Sequence, residues 1–227
     1  MEYPIRINKY LRDTGLASRR ESDRLIKNGY VLVNGKRATL GMVINANDKV
    51  VVNEGSNKKK LTYLAYYKPR GMATQGLNNQ ESVISNWQPK GIFPIGRLDK
   101  ESEGLLILTN DGRITSKILG NEEKFEKEYI VEVKEKLSNN IPGIFKKGMH
   151  TEIGDLLPAQ AKVLTDHRLS VILHEGKKHQ IRVMLSELGY TVTLLKRVRI
   201  GDIKLGNLKP GETREFVKTE VDLLFSN

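Results

Sequence analysis

The hydrophobic positions change period along the chain. Ile7, Tyr10 and Leu11 recur at helical spacing and predict a short helix that Gly15 can end. Ser18-Arg19-Arg20-Glu21 fits a capping box. The helix it opens, from Arg19 to Lys27, buries Leu25 and Ile26 and stops at Asn28-Gly29. Beyond it the pattern turns strand-like. Tyr30 to Val33, the tight turn Asn34-Gly35, and Lys36 to Ala38 read as a hairpin, with Asp48 to Val52 as a further strand. Asn53 to Lys60 is polar, without periodicity, and reads as a linker.

The pattern resumes with Leu61 to Tyr67, an apolar and aromatic strand broken by Lys68-Pro69-Arg70-Gly71. Leu105 to Thr109 is a buried strand ended by Asn110-Asp111-Gly112. Glu128 to Val133 alternates, with Tyr129, Val131 and Val133 on one face. Ala161 to Leu164 and Leu169 to His174 form a strand pair. Ile181, Met184, Leu185 and Leu188 mark an amphipathic helix ended by Gly189, and Tyr190 to Leu195 returns as a strand. Many strands and few helices predict an α+β domain with a mixed or antiparallel sheet. The expected organisation is a small domain over 1–55, a linker over 56–60 and a larger domain over 61–227.

Composition narrows the function classes. At 227 residues, with 38% hydrophobic and 29% charged positions, the chain can bury a core. No apolar run approaches the roughly 20 residues of a membrane helix. The first six residues lack the basic-then-apolar order of a signal peptide, so a cytoplasmic address is expected. With no cysteine there is no disulfide, catalytic thiol or Cys-based metal site. The net charge is +11, and it is uneven: residues 1–60 hold 13 basic and 6 acidic side chains. A basic module joined to a nearly balanced one suits a polyanion such as nucleic acid.

Cofactor motifs are missing. Gly91 to Gly96 has the Walker spacing, but Arg97-Leu98 replaces its Lys-Ser/Thr pair. The four histidines, His150, His167, His174 and His179, are too dispersed for a zinc pattern. No metal and no cofactor are therefore expected. Two loops remain. Phe93 to Gly104 carries Asp99 between Arg97 and Lys100, just before a buried strand. Neighbouring positive charge favours an ionised Asp99. His174 to Arg182 places a basic cluster where a strand becomes a helix, a position that favours anions. From the residues alone, a turn aspartate fits the first loop better than a reactive one does, and a solvated helix start fits the second as well as an anion site does.

Resemblance separates those readings. Arg6 to Leu11, Ser18-Arg19-Arg20 and Val33-Asn34-Gly35-Lys36 resemble the S-four-type RNA-binding domain of ribosomal proteins. On that resemblance Arg6, Lys9, Arg19, Arg20, Arg24 and Lys36 would contact RNA phosphates. Such contacts position a protein on RNA without reading sequence. Gly96-Arg97-Leu98-Asp99 with Ser102-x-Gly104-Leu105-Leu106 resembles the catalytic motif of the RsuA-like family of RNA pseudouridine synthases. Lys68-Pro69-x-Gly71, Lys127-Glu128-Tyr129, Glu175 to Arg182, and Arg197 to Gly201 match further motifs of that family, in order.

The resemblance implies a small N-terminal α/β RNA-binding domain followed by a catalytic domain with a mixed, mainly antiparallel sheet. It implies that Asp99 is catalytic, that Arg182 pairs with it, and that Tyr129 stacks on the target base. Lys68, Arg97, Lys177, Lys178 and His179 would hold phosphates. Asn121 to Tyr129 and Gly35 to Ala38 look closest to the RluF-like, large-subunit branch. The expected partner is therefore 23S ribosomal RNA, and the expected state a monomer. The alternatives are 16S ribosomal RNA, transfer RNA, and a non-catalytic ribosome-assembly factor. A glycoside hydrolase would need two carboxylates at a set separation, and only one loop aspartate stands out.

Overall fold

A computed structural model describes residues 1–53, 60–76, 81–120 and 125–225. Most of the expected linker, residues 56–59, and the first residues of the branch-diagnostic stretch, 121–124, lie outside them. The chain forms two compact units: Met1–Leu61 with Asn110–Ser116, and Thr62–Thr109 with Lys117–Asn227.

In the first unit β1 (Ile5–Arg6) leads into α1 (Ile7–Asp13) and α2 (Arg19–Lys27). Ser18 caps α2, its hydroxyl accepting from the Glu21 N–H at 3.3 Å. Next come β2 (Val31–Val33), β3 (Lys36–Arg37), β4 (Val43–Ile44) and β5 (Val50–Val52). The β2–β3 turn holds Asn34 at φ 51° and Gly35 at φ 79°, the left-handed geometry an Asn-Gly hairpin requires. Both helices press Ile7, Leu11, Leu25 and Ile26 onto Val31, Val33 and Ile44.

The second unit begins with β6 (Tyr63–Lys68), α3 (Val83–Trp87), β7 (Phe93–Ile95) and β8 (Glu103–Thr109). After α4 (Arg113–Gly120) come β9 (Lys127–Val133), α5 (Ile141–Lys147), β10 (Met149–Thr151), β11 (Gly154–Leu156), β12 (Gln160–Thr165) and β13 (Arg168–Leu173). The chain then runs through α6 (Gln180–Glu187), β14 (Val192–Ile200), β15 (Ile203–Lys204), β16 (Thr213–Glu215) and α7 (Lys218–Phe225). Among the described residues one sheet of nine strands runs β12-β13-β9-β14-β8-β6-β16, with β15 beside β14 and β7 beside β8. Every pair in it is antiparallel except β14 with β8, so the sheet is mixed and mainly antiparallel.

Two apolar clusters flank that parallel pair. One gathers Val131, Phe145, Leu169, Val171, Met184, Leu185 and Leu195; the other gathers Leu64, Tyr66, Val83, Leu106 and Leu108. β14 is longer than the hydrophobic pattern suggests. The apolar run stops at Leu195, but the strand continues to Ile200 and carries Arg197 into the sheet. Arg197 stands opposite Tyr129 of β9 on one side and Gly104 of β8 on the other, and Gly104 in turn stands opposite Lys68 of β6. One rung thus crosses four strands. Gly104 sits at φ +105°, and a Cβ there would lie 2.2 Å from the Arg197 carbonyl oxygen. Only glycine allows the strands to approach this closely.

Lys68 closes the rung from inside. It is fully buried, and its ammonium donates to the carbonyls of Pro69 at 2.9 Å and Met72 at 2.6 Å. Burial pushes its pKa down to about 8, against the pull of Asp99, Glu103 and Glu101, with nearby Arg197 adding to the depression. The expectation that Lys68 holds an RNA phosphate is thereby corrected: strand β6 runs one residue further than the Lys-Pro break suggests and takes the side chain inward.

Two stability predictions follow from the rung. Gly104→Ala should cost about 3–5 kcal/mol in a urea titration, through overpacking and a strained φ. A cost below ~1 kcal/mol would mean the strands part freely. For Lys68 the folded pKa lies near 8 and the unfolded one near 10.4. Between those values the unfolded chain holds a proton the folded chain has released, so this residue's contribution rises with pH. The stability difference between wild type and Lys68→Met should therefore shift in favour of wild type from pH 8 to 10. Parallel pH curves for the two proteins would show that the burial does not perturb Lys68.

Candidate active site at the junction of two cores

The loop from Gly96 to Ser102 joins β7 to β8 and carries Asp99. Hydrogen bonds hold its backbone at several points along its length. The Thr74 hydroxyl, buried beneath the loop, donates to the Leu98 carbonyl at 2.6 Å and accepts from the Leu98 N–H at 3.0 Å. The Asp99 carbonyl accepts from the Ser102 N–H at 3.1 Å, and the Lys100 carbonyl from the Gly71 N–H at 2.8 Å. Arg182 donates to the Glu101 carbonyl at 3.1 Å. Arg197 donates to the Leu105 carbonyl at 2.8 Å and to the Arg97 carbonyl at 3.5 Å. A side chain on such a loop has its direction set before any ligand arrives.

The facing segment runs from β13 into α6. Its anchor is Glu175, a buried carboxylate that accepts from the Leu157 N–H and from Gln180 Nε2, each at 2.8 Å. His179 then adopts φ 57°, a left-handed conformation that a non-glycine residue takes rarely. This kink brings its Nδ1 to 3.2 Å from Asp99 Oδ2. Arg182, half-buried one turn along α6, feels Asp99 and Glu101 as favourable charges. Burial first, and Arg70 second, push its pKa below the ordinary arginine value. It also lines an open cavity of about 400 Å³ with Glu152, Val183, Ser186 and Glu187.

The structure therefore brings Asp99, His179 and Arg182 together, with one change in pairing. The group within ion-pair distance of the Asp99 carboxylate is His179, while the hydrogen bond of Arg182 goes to the loop backbone. Tyr129 lies two strands from Gly104 in the shared rung, partly buried against the larger core cluster. Arg97 and Lys178 are exposed beside the loops that carry them. Lys177 is less free: its ammonium donates to the Asp155 carbonyl and stands 3.8 Å from Glu175.

The role of Thr74 and the burial of Glu175 and Arg197 are not legible in the sequence. Arg197 left no signal of burial, because Lys196 and Arg199 beside it make the segment look solvent-facing. Thr74 left none, because its role depends on the fold bringing residue 74 under residue 98.

In the first unit Arg6, Lys9, Arg19, Arg20, Arg24 and Lys36 are all exposed. Arg20, Arg24 and Lys27 share the outer side of α2, away from buried Ser22, Leu25 and Ile26. Arg24 is partly engaged, since its guanidinium pairs with Glu21 one turn earlier.

Comparison with known proteins agrees with this geometry. The RNA pseudouridylate synthase family model matches residues 62–187, and the S4 domain model matches residues 5–50. The dual-specificity RNA pseudouridine synthase RluF of Escherichia coli K12 is 36% identical, over 97% of this chain and 78% of that protein. Ribosomal large subunit pseudouridine synthase B of Bacillus subtilis is 33% identical, over 96% of this chain and 95% of that protein. A crystal structure of a pseudouridylate synthase shares the fold, with a TM-score of 0.71 at 24% identity, covering 97% of this chain and 99% of that one. Family membership implies enzymatic isomerase activity and sets aside the non-catalytic assembly factor. The chain belongs to the RNA pseudouridylate synthase family, as a member that carries an S4 domain.

Proposed function

We propose that this synthase isomerises one uridine of 23S ribosomal RNA and that Asp99 is its catalytic carboxylate. The observation that carries the assignment is the position of Asp99: a partly exposed carboxylate on an immobilised loop, with His179 and Arg182 beside it. The reaction breaks the C1′–N1 bond of uridine, turns the base and joins C5 to C1′; C5 gives up a proton and N1 ends with one. The sugar becomes electron-poor as the base leaves. A carboxylate there attacks C1′, or stabilises the positive charge and takes a C2′ proton. Arg182 supplies positive charge near Asp99, and His179 places a ring nitrogen at 3.2 Å from its carboxylate. Tyr129 offers an aromatic face on which an extruded base can stack.

The large-subunit target is supported by the relative named for that subunit, which matches nearly the whole chain. A second target is favoured by the dual-specificity name of the other relative. The S4 unit supplies phosphate contacts through the exposed face of α2.

Carbodiimide mapping of total RNA from cells with and without the gene tests the target. One stop in 23S RNA should vanish in the deletion and return with the wild-type gene. A lost stop in 16S or transfer RNA instead would overturn the large-subunit assignment. Asp99→Asn should bind substrate RNA within about twofold of wild type and lower conversion at least ~10⁴-fold, about 5 kcal/mol of barrier. Near-normal conversion by this variant would remove Asp99 from the chemistry. Replacing Arg19 and Arg20 by Gln should weaken RNA binding and flatten its dependence on log salt by about 0.7–0.9 per lost contact. An unchanged salt slope would move the phosphate contacts elsewhere.

A further inference from the structure

We propose that Arg197 is a positioning residue for the isomerisation: its guanidinium sets the spacing between the two stems of the loop that carries Asp99. The inference rests on the assignment of Asp99 as the catalytic carboxylate.

Arg197 is 5% exposed, in the centre of the nine-stranded sheet. Its Nε donates to Leu105 at the exit of the loop, and its Nη1 to Arg97 at the entrance. Asp99 hangs between these two points. The backbone of Arg197 meets the strand that follows the loop, since Gly104 packs against its peptide more closely than any Cβ would allow. One residue therefore defines where the loop leaves the sheet and where it returns.

The residue type is informative. A buried cation is costly unless it is paired and hydrogen-bonded. Among the described residues no carboxylate lies within 4.0 Å of Arg197, and its Nη2 is buried without a partner. Arg199, two residues along the same strand, behaves in the ordinary way and pairs with both Glu126 and Glu128. An apolar side chain would fill the place of Arg197 without burying an unpaired donor, but it would take this donor away from the Leu105 and Arg97 carbonyls. What an apolar side chain lacks is the rigid planar fork that reaches two carbonyls at once, and lysine lacks it as well. The unmet Nη2 is thus the cost of keeping a fork at this place in the sheet, and what the fork holds is the frame of Asp99.

The test compares Arg197→Met and Arg197→Lys with wild type and with Asp99→Asn. Each full-length protein is assayed on an RNA transcript carrying the mapped uridine, with thermal melting and amide hydrogen exchange measured alongside. Arg197→Met should lower kcat at least ~100-fold while KM stays within threefold, and should speed exchange in peptides covering residues 97–105. Arg197→Lys should recover part of kcat and part of the protection. A folded Arg197→Met enzyme with kcat within threefold of wild type overturns the proposal. So does a loss confined to KM, which would make Arg197 an RNA contact. Where Arg197→Met does not fold, Arg197→Lys decides: a melting temperature, kcat and exchange pattern all like wild type overturn it. An active Asp99→Asn protein would refute the assignment of Asp99 instead, and the exchange data would still judge the clamp.

Discussion

The close approach of β8 to β14 at Gly104 is the constraint on which the rest of the second unit depends. These are the two strands of the sheet that run parallel, and they meet with the peptide of Arg197 where a Cβ of residue 104 would stand. Their junction joins two apolar clusters that would otherwise be separate small cores. Because β8 follows the Asp99 loop directly, and β14 stands between β8 and β9, this single crossing brings the Asp99 loop, Tyr129 and the α6 side of the sheet into one neighbourhood. A larger residue at position 104 would move all of them together.

Cations in this chain do two kinds of work, divided by depth. The buried pair, Lys68 and Arg197, spend their donors on backbone carbonyls around the loop rather than on carboxylates. The three shorter ones, at 2.6–2.9 Å, gain from a charged donor in dry surroundings, and the bond to Arg97 at 3.5 Å is the weak arm. The exposed set on α2 and beside Asp99 keeps its charge where a polyanion can reach it. Arg182 bridges the two roles, holding the Glu101 carbonyl with one nitrogen while sharing the field of Asp99. Net charge alone does not reveal this division; burial does.

Legibility in the sequence followed the range of the interaction. The Asn34-Gly35 hairpin and the Ser18 cap are local, and each appears where the pattern places it. α5 shows no helical pattern because Pro142 and Gly143 occupy its first turn, and α3 because five residues show too little periodicity. The pattern of β14 ends at Leu195 because Lys196, Arg197 and Arg199 look solvent-facing, whereas the sheet buries one of them and pairs another with two glutamates. The motifs around Asp99 and Arg182 were recognisable as words. Their grammar was not: that His179 is the nearer neighbour of Asp99, and that Lys68 points inward, depends on a kink and a strand end that no short-range signal marks.

The fixed loop has a consequence for the RNA. The conformational entropy of placing Asp99 is lost when the protein folds, not when substrate binds. On the role proposed for Asp99, the carboxylate does not travel to a stacked uridine, so the nucleotide makes the whole journey out of its helix. Reactivity should then follow how easily each uridine leaves its stack. Loops, bulges and mismatches become the places where an immobile reagent finds its partner, and the folded shape of the RNA joins its base sequence in choosing the site.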